Sequence, residues 1–431
     1  MKIAASLLVL VCAAWLTPTS ALAQSAARIP EFPQLSAETD WPWWRGPERN
    51  GHAHAGAKPP TVWSNTQNVV WKVPLPGRGH SSPIVVGNHI FMATADESAQ
   101  TQSVLAVERA TGKPLWKTDL SQGGFPKIHG NNTHASPTVA CDGELLIVTF
   151  HHHNQLQAAA LTRDGKTVWS KSLGEFHPKR YEYGYGASPV LYRDTVIIVG
   201  EYDGDSFITA LNRKTGAPVW RTPRPNNVTF SSPSIHRIGD RDLLSLSGAG
   251  KVACYDPATG RPLWDVDGTS AATCGTIISD GDILFASGGY PQPQTVAVRA
   301  TGTGEVLWKN TQKCYEQSMV AHAGYLYMLT DNGGLFCFRG HDGQEMWRQR
   351  LQGPVSASPV LANGHIYWAN ERGTLYVFKA NPQQCEMVAE NRLGDESFAS
   401  PAVVGDKIYL RVADRSAGPR QEYLYCLGSA R

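Results

Sequence analysis

The sequence predicts an all-β protein: an eight-bladed β-propeller of four-stranded antiparallel blades, with the ring closed by an N-terminal strand. Three observations carry this. A small residue, a Gly and a Trp recur at nearly constant spacing: Ala106, Gly112 and Trp116; Ala210, Gly216 and Trp220; Cys254, Gly260 and Trp264; Cys337, Gly343 and Trp347. Ala160, Gly165 and Trp169 form a copy one residue shorter, and Ala297, Gly304 and Trp308 one residue longer. Second, the pairs beginning at Ser82, Ser136, Ser188, Ser232, Cys274, Ser318, Ser358 and Ser400 mark strand starts at steps of 54, 52, 44, 42, 44, 40 and 42 residues. Steps of that size match one four-stranded blade each. Third, the chain holds 41 Gly and 28 Pro, and its apolar runs are short or alternate with a period of two, with no long stretch at the helical period.

Each repeat reads as a β-hairpin. Ala106-Val107 ends one strand, Thr111-Gly112 reverses the chain, and Leu115-Trp116 opens the next. Gly suits the bulged position of such a loop because φ > 0 strains a residue with a side chain. Pro after the marker Ser is tolerated because the innermost strand of a blade is an edge with one unpaired side. Each Trp is expected to lie between neighbouring sheets, burying roughly 200 Å² of mostly apolar surface.

Taken in order, the N-terminus carries Lys2, an apolar run from Ile3 to Leu16 and the small-residue site Ala21-Leu22-Ala23. That is the pattern of a secretory signal peptide cleaved after Ala23, placing the protein in the periplasm or outside the cell. No later run approaches the roughly 20 apolar residues of a membrane span. Residues 24–40 read as a linker and 41–431 as one propeller domain. Trp71 stands 12 residues before Pro83, as Trp347 does before Pro359, so Val69 to Val73 is expected to serve as the outer strand of the last blade. That blade starts at Ser400, and its own strands are Ala402 to Val404, Lys407 to Val412 and Tyr423 to Leu427. In blade seven Ala389 takes the place of the Trp, and looser packing is expected there.

The small-Gly-Trp repeat resembles the tryptophan-docking motif of pyrroloquinoline quinone (PQQ) type β-propellers, and the resemblance covers the chain after its leader. The family includes quinone-dependent dehydrogenases and proteins that bind no quinone. For the former the resemblance implies PQQ in the channel mouth over an aromatic floor, with Ca²⁺ held by oxygen ligands, an Asp base and a pair of adjacent cysteines. This chain has no adjacent Cys pair, and no Asp, Glu or Asn matches the dehydrogenase motif residue by residue. Cys12 follows Leu10-Val11 rather than small residues, so no lipid anchor is expected. That departs from the lipoprotein propellers of outer membrane assembly, which the chain resembles in length.

Lys and Arg total 39 against 37 Asp and Glu, giving a net charge of +2 without long runs, so there is no electrostatic case for nucleic acid. The cysteines read as small buried hydrophobes. Cys274 and Cys314, at inner-strand starts of neighbouring repeats, are the one pair placed for a disulfide in an oxidising compartment.

Polar residues concentrate in the mouth loops of blades one to three. The candidate ligand-binding set is His80, His129, Asn131, Asn132, His134, His151, His153, His177, Glu182, Tyr185, Glu201 and Asp203. The structural set is Trp71, Trp116, Trp169, Trp220, Trp264, Trp308 and Trp347. Uneven lengthening of loops on one sector is how repeat scaffolds build binding surfaces. The bland reading is a solvated or partner-facing rim whose His and Asn cap loop backbone. A metal reading needs several of the histidines to converge. The leading function is an exported, non-catalytic binding or scaffolding module for a protein or carbohydrate partner. The alternatives are a PQQ- and calcium-dependent dehydrogenase, or a hydrolase or lyase using His134 and Tyr185 as an acid/base pair.

Overall fold

A computed structural model describes residues 28–429; the expected signal peptide and cleavage after Ala23 lie outside them. Eight four-stranded antiparallel sheets form the blades of the expected all-β propeller. Blade 1 runs through Ile84–Val86, His89–Asp96, Thr101–Glu108 and Pro114–Gln122, and the following blades repeat this order from the axis outward. Blade 8 consists of Ala402–Val404, Lys407–Asp414 and Gln421–Leu427, and Val69–Leu75 pairs with the last of these as its outer strand. The termini therefore close the ring in one sheet, which leaves no unpaired edge at the seam. Within the stretch expected as a linker, Arg28–Ile29 and Phe32–Ser36 pair as a short ribbon, with Phe32 and Leu35 buried. Among the described residues no helix is long and apolar enough to cross a membrane.

The repeat Gly and Trp work as a pair across blades. Gly112 has φ +73°, and a Cβ there would come within 2.7 Å of the Trp71 ring. Gly165 meets Trp116, Gly216 meets Trp169, Gly260 meets Trp220, Gly304 meets Trp264 and Gly343 meets Trp308 in the same way. Each of these six Trp residues thus packs on the hairpin turn of the next blade, where only Gly leaves room. The indole N–H groups complete the dock: Trp116 donates to Arg163 O at 3.0 Å, Trp169 to Arg213 O at 2.9 Å and Trp308 to Gly340 O at 2.7 Å.

Blade 7 corrects the expectation of loose packing. Ala389 does occupy the Trp register, opposite Val377, but Trp63 fills the space. Trp63 is buried and stacks on Tyr367 at 6.3 Å and 13°. Asn391 anchors the segment, accepting from Trp63 N at 2.8 Å and donating to Thr61 O at 2.9 Å. The reason is topological. Blade 8 takes its outer strand from the N-terminus, so it has no hairpin turn for a blade 7 Trp to dock on. The segment leading into that strand delivers Trp63 instead.

Around the axis, backbone N–H groups at the inner-strand starts donate to hydroxyls of the next blade. Ser82 N bonds Thr138, Thr138 N bonds Ser188 and Ser188 N bonds Ser232. Thr276 N bonds Ser318, Ser318 N bonds Ser358, Ser358 N bonds Ser400, and Ser400 N returns to Ser82. These seven bonds, which skip only the step from Ser232 to Thr276, correct two strand markers in the ring of hydroxyls: the equivalent positions in blades 2 and 5 are Thr138 and Thr276, two residues after Ser136 and Cys274. Cys274 and Cys314 do not form the expected disulfide. Every described cysteine is a free thiol; Cys314 Sγ bonds Leu329 O, and Cys274 pairs with the Tyr315 hydroxyl.

One end of the channel is sealed. Trp41 exchanges backbone bonds with Val85 of blade 1, and Cys141 N of blade 2 donates to Pro42 O. Arg45 is buried and donates to Pro359 O at 2.6 Å, Met319 O at 2.7 Å and Asn50 O at 3.0 Å. Arg49 reaches Leu191 O of blade 3 while lying over the Trp43 ring at 4.6 Å. His52 Nε2 donates to Ala321 O, and Ala53 N to Leu361 O. Residues 41–53 therefore floor the channel by satisfying carbonyls at the ends of inner strands, which would otherwise be buried without donors.

Candidate functional site: the channel mouth

The opposite end of the channel is a cavity of about 320 Å³ with the Trp44 indole at its inner end. Trp44 is held there by its N–H, which donates to Thr276 Oγ1 at 2.8 Å. One position per blade faces the cavity, two residues before each ring hydroxyl: His80, Ser136, Gly186, Phe230, Cys274, Glu316, Ser356 and Phe398. Loop residues His129, Asn131, Asn132, Tyr183 and Tyr315 complete the wall.

Of the sequence-predicted ligand set, the structure brings His80, His129, Asn131 and Asn132 together at this mouth. His80 stacks on Phe398 at 4.3 Å and 12°. Burial holds its imidazole well below the usual range, with Arg78 and Arg411 adding to the effect, and its Nε2 is buried without a partner among the described residues. His129 meets the Tyr183 ring edge-on at 5.3 Å. Asn132 is spent on loop structure, donating to Tyr183 O and accepting from Ser136 Oγ and Thr133 N.

The remaining predicted residues lie elsewhere. His134 is clamped between Glu97 and Pro126 O, each at 3.0 Å, and stacks on Phe125. His151 is buried against Phe176, and burial lowers its pKa to about 4. His153 bonds the ring of His152. His177 is exposed, and Glu182 pairs on the surface with Lys127 at 3.0 Å. Tyr185 is buried and donates to Val199 O at 2.8 Å, and the void it shares with His134 holds only about 10 Å³. Glu201 is buried in an ion pair with Arg224 at 2.5 Å, and Asp203 accepts from Lys179 N and Arg180 N. Among the described residues no group of three or more His, Cys, Asp or Glu is placed to hold a metal ion.

Sequence reasoning missed Phe230, Tyr315, Glu316, Ser356, Phe398 and Trp44. The ring hydroxyls were the signal that could have found them. Once Thr138 and Thr276 are taken as the equivalents of Ser82, stepping back two residues in every blade reads off the wall. Glu316 is its one carboxyl. Burial raises its pKa, and Glu371 and Asp331 add to the effect against the opposing Ser356 hydroxyl and His129. Ser356 in turn donates to Glu371 at 2.6 Å.

The wall does not fit PQQ. That cofactor carries three carboxylates, yet no Lys or Arg lines the cavity. A hard cation would need several converging oxygens, and the single lining carboxyl has its charged form disfavoured.

A family model described as "Outer membrane protein assembly factor BamB" matches residues 100–349 and 340–418. The outer membrane protein assembly factor BamB of Burkholderia pseudomallei is 24% identical over 359 residues, covering 70% of this chain and 85% of that protein. Tetrathionate hydrolase of Acidithiobacillus ferrooxidans is 20% identical over 359 residues, covering 76% and 70%. Among solved structures, a europium-containing methanol dehydrogenase superposes with a TM-score of 0.65 at 12% identity, over 93% of this chain and 99% of that one. BamB from Moraxella catarrhalis gives 0.60 at 15% identity, over 83% and 96%. At these identities the solved structures establish the fold alone. The extent of the family match carries the further conclusion that this chain belongs to the PQQ-like β-propeller family described as outer membrane protein assembly factor BamB.

Proposed function

We propose that the protein is an exported, non-catalytic scaffold that serves outer membrane protein assembly in the periplasm and engages a protein partner through the rim loops of blades 2 and 3. The names of the BamB relatives support the process. The observation that carries the scaffold reading is how these loops use their polar groups. His134, Tyr185, Glu201 and Asp203 all bond within the protein, and Lys127–Glu182 and Asn132–Tyr183 tie one loop to the other. This leaves a rim fixed in shape, with Lys179, Arg180 and Tyr183 exposed on it. A preorganised surface lowers the ordering cost of association.

The test is capture. The tagged full-length protein, expressed in its own cells and crosslinked before lysis, should retain components of outer membrane protein assembly. The double variant Arg180→Glu, Tyr183→Ala should lose them at least tenfold. Capture of none of them by the unaltered protein would overturn the reading. Mass spectrometry of the mature N-terminus checks cleavage after Ala23, the basis for the periplasmic placement.

A further inference from the structure

The cavity wall is chemically divided by blade. Phe230 of blade 4 and Phe398 of blade 8 are four blades apart in a ring of eight, so they face each other across the axis. Each is backed by a second ring: Tyr183 stacks on Phe230 at 5.9 Å and 28°, and His80 on Phe398 at 4.3 Å and 12°. The perpendicular diameter is polar. Ser136 and the Asn131 loop of blade 2 face Glu316 and Ser356 of blades 6 and 7. Among the described residues the Asn131 side-chain amide has no partner, and the His129 ring bonds through Nδ1, accepting from Asn131 N, which leaves its Nε2 free.

We propose that the channel mouth binds the pyranose ring of a neutral sugar. The two faces of such a ring carry C–H groups, which pack on aromatic walls through apolar contact. Its rim carries hydroxyls that need both donors and acceptors, and Asn131, His129, Glu316 and the ring serines supply both. A cavity near the lower end of the roughly 300–1,000 Å³ range for small-molecule sites matches a ligand of one or two rings. Charge excludes other classes. An anionic ligand would find no Lys or Arg in the wall. A cationic one would find a single carboxyl, Glu316, buried among like charges from Glu371 and Asp331. Trp44, held by Thr276, closes the inner end, so the ligand enters and leaves by the mouth.

This site goes beyond the scaffold role and fails separately from it, because sugar binding and partner capture are read by different experiments. The probes are methyl β-D-glucopyranoside, N-acetylglucosamine and maltose, with D-galacturonate as the anionic counterpart, titrated calorimetrically into the full mature protein. At least one neutral sugar is expected to bind saturably, and galacturonate at least tenfold more weakly. Phe230→Ala and Asn131→Ala should each weaken binding at least tenfold; Asn131 is exposed, so its variant stays informative if Phe230→Ala lowers stability. Overturning results are no saturable heat with any neutral sugar, equal binding of galacturonate, or Asn131→Ala binding as tightly as the unaltered protein.

Discussion

The two ends of the central channel are capped by opposite means, although the same eight inner strands reach both. At the floor, the arginines of residues 41–53 donate to backbone carbonyls of the protein itself, and Arg45 alone serves three. At the mouth, the backbone is satisfied one layer deeper by the hydroxyl ring, and one side chain per blade is free to vary. The difference separates stability from recognition. A floor residue is constrained by buried acceptors, whereas a mouth residue is constrained only by what the cavity receives.

The comparison is broken most severely at the floor. Arg45→Met strands three carbonyls, each worth about 1–3 kcal/mol when left unsatisfied, and should lower the unfolding free energy by about 3–5 kcal/mol in urea titrations. A loss under about 1 kcal/mol would mean that water can enter and the floor is not sealed. Trp63→Ala and Trp220→Ala should each cost about 3–5 kcal/mol as large-to-small core changes. Equal losses would establish that the borrowed Trp of blade 7 does the work of a native one. Ser318→Ala removes one ring acceptor and should cost about 1 kcal/mol, several times less than Arg45→Met.

Two measurements sharpen the mouth side. Burial raises the Glu316 pKa above its ordinary 4.5, so the folded protein holds this proton to higher pH than the unfolded chain does. Its contribution is therefore fully present at low pH and is lost as pH rises through the folded value. Glu316→Gln should leave the melting temperature at pH 4 nearly unchanged and raise it at pH 8; a fall at pH 8 would show the carboxylate to be well paired. The smallest signal is expected from PQQ with Ca²⁺, for which calorimetry should show no saturable heat. One-to-one binding at micromolar affinity would return the dehydrogenase reading.

The candidate site was legible only in part. His80, His129, Asn131 and Asn132 reach the mouth because they lie in loops entering the inner strands of blades 1 and 2, and their loop position was visible. His134, Glu201 and Tyr185 sit in comparable loops but are turned to Glu97, Arg224 and Val199. Residue type cannot tell a group aimed at a ligand from one that satisfies its own loop. Phe230, Glu316 and Phe398 were overlooked because each is a single residue beside a strand start, without a polar cluster to draw notice.

By itself the sequence determined the eight blades, their order and the closing strand. These follow from local physics: strand alternation, a positive-φ Gly turn and a Trp at a set offset, repeated until the ring closes. Tertiary structure alone decided that Trp63 stands in for the missing Trp of blade 7, that residues 41–53 seal one end, and that Phe230 faces Phe398 across the other. Those pairings join residues far apart in the chain, and the closed ring, which no short stretch of sequence encodes, sets the distances between them.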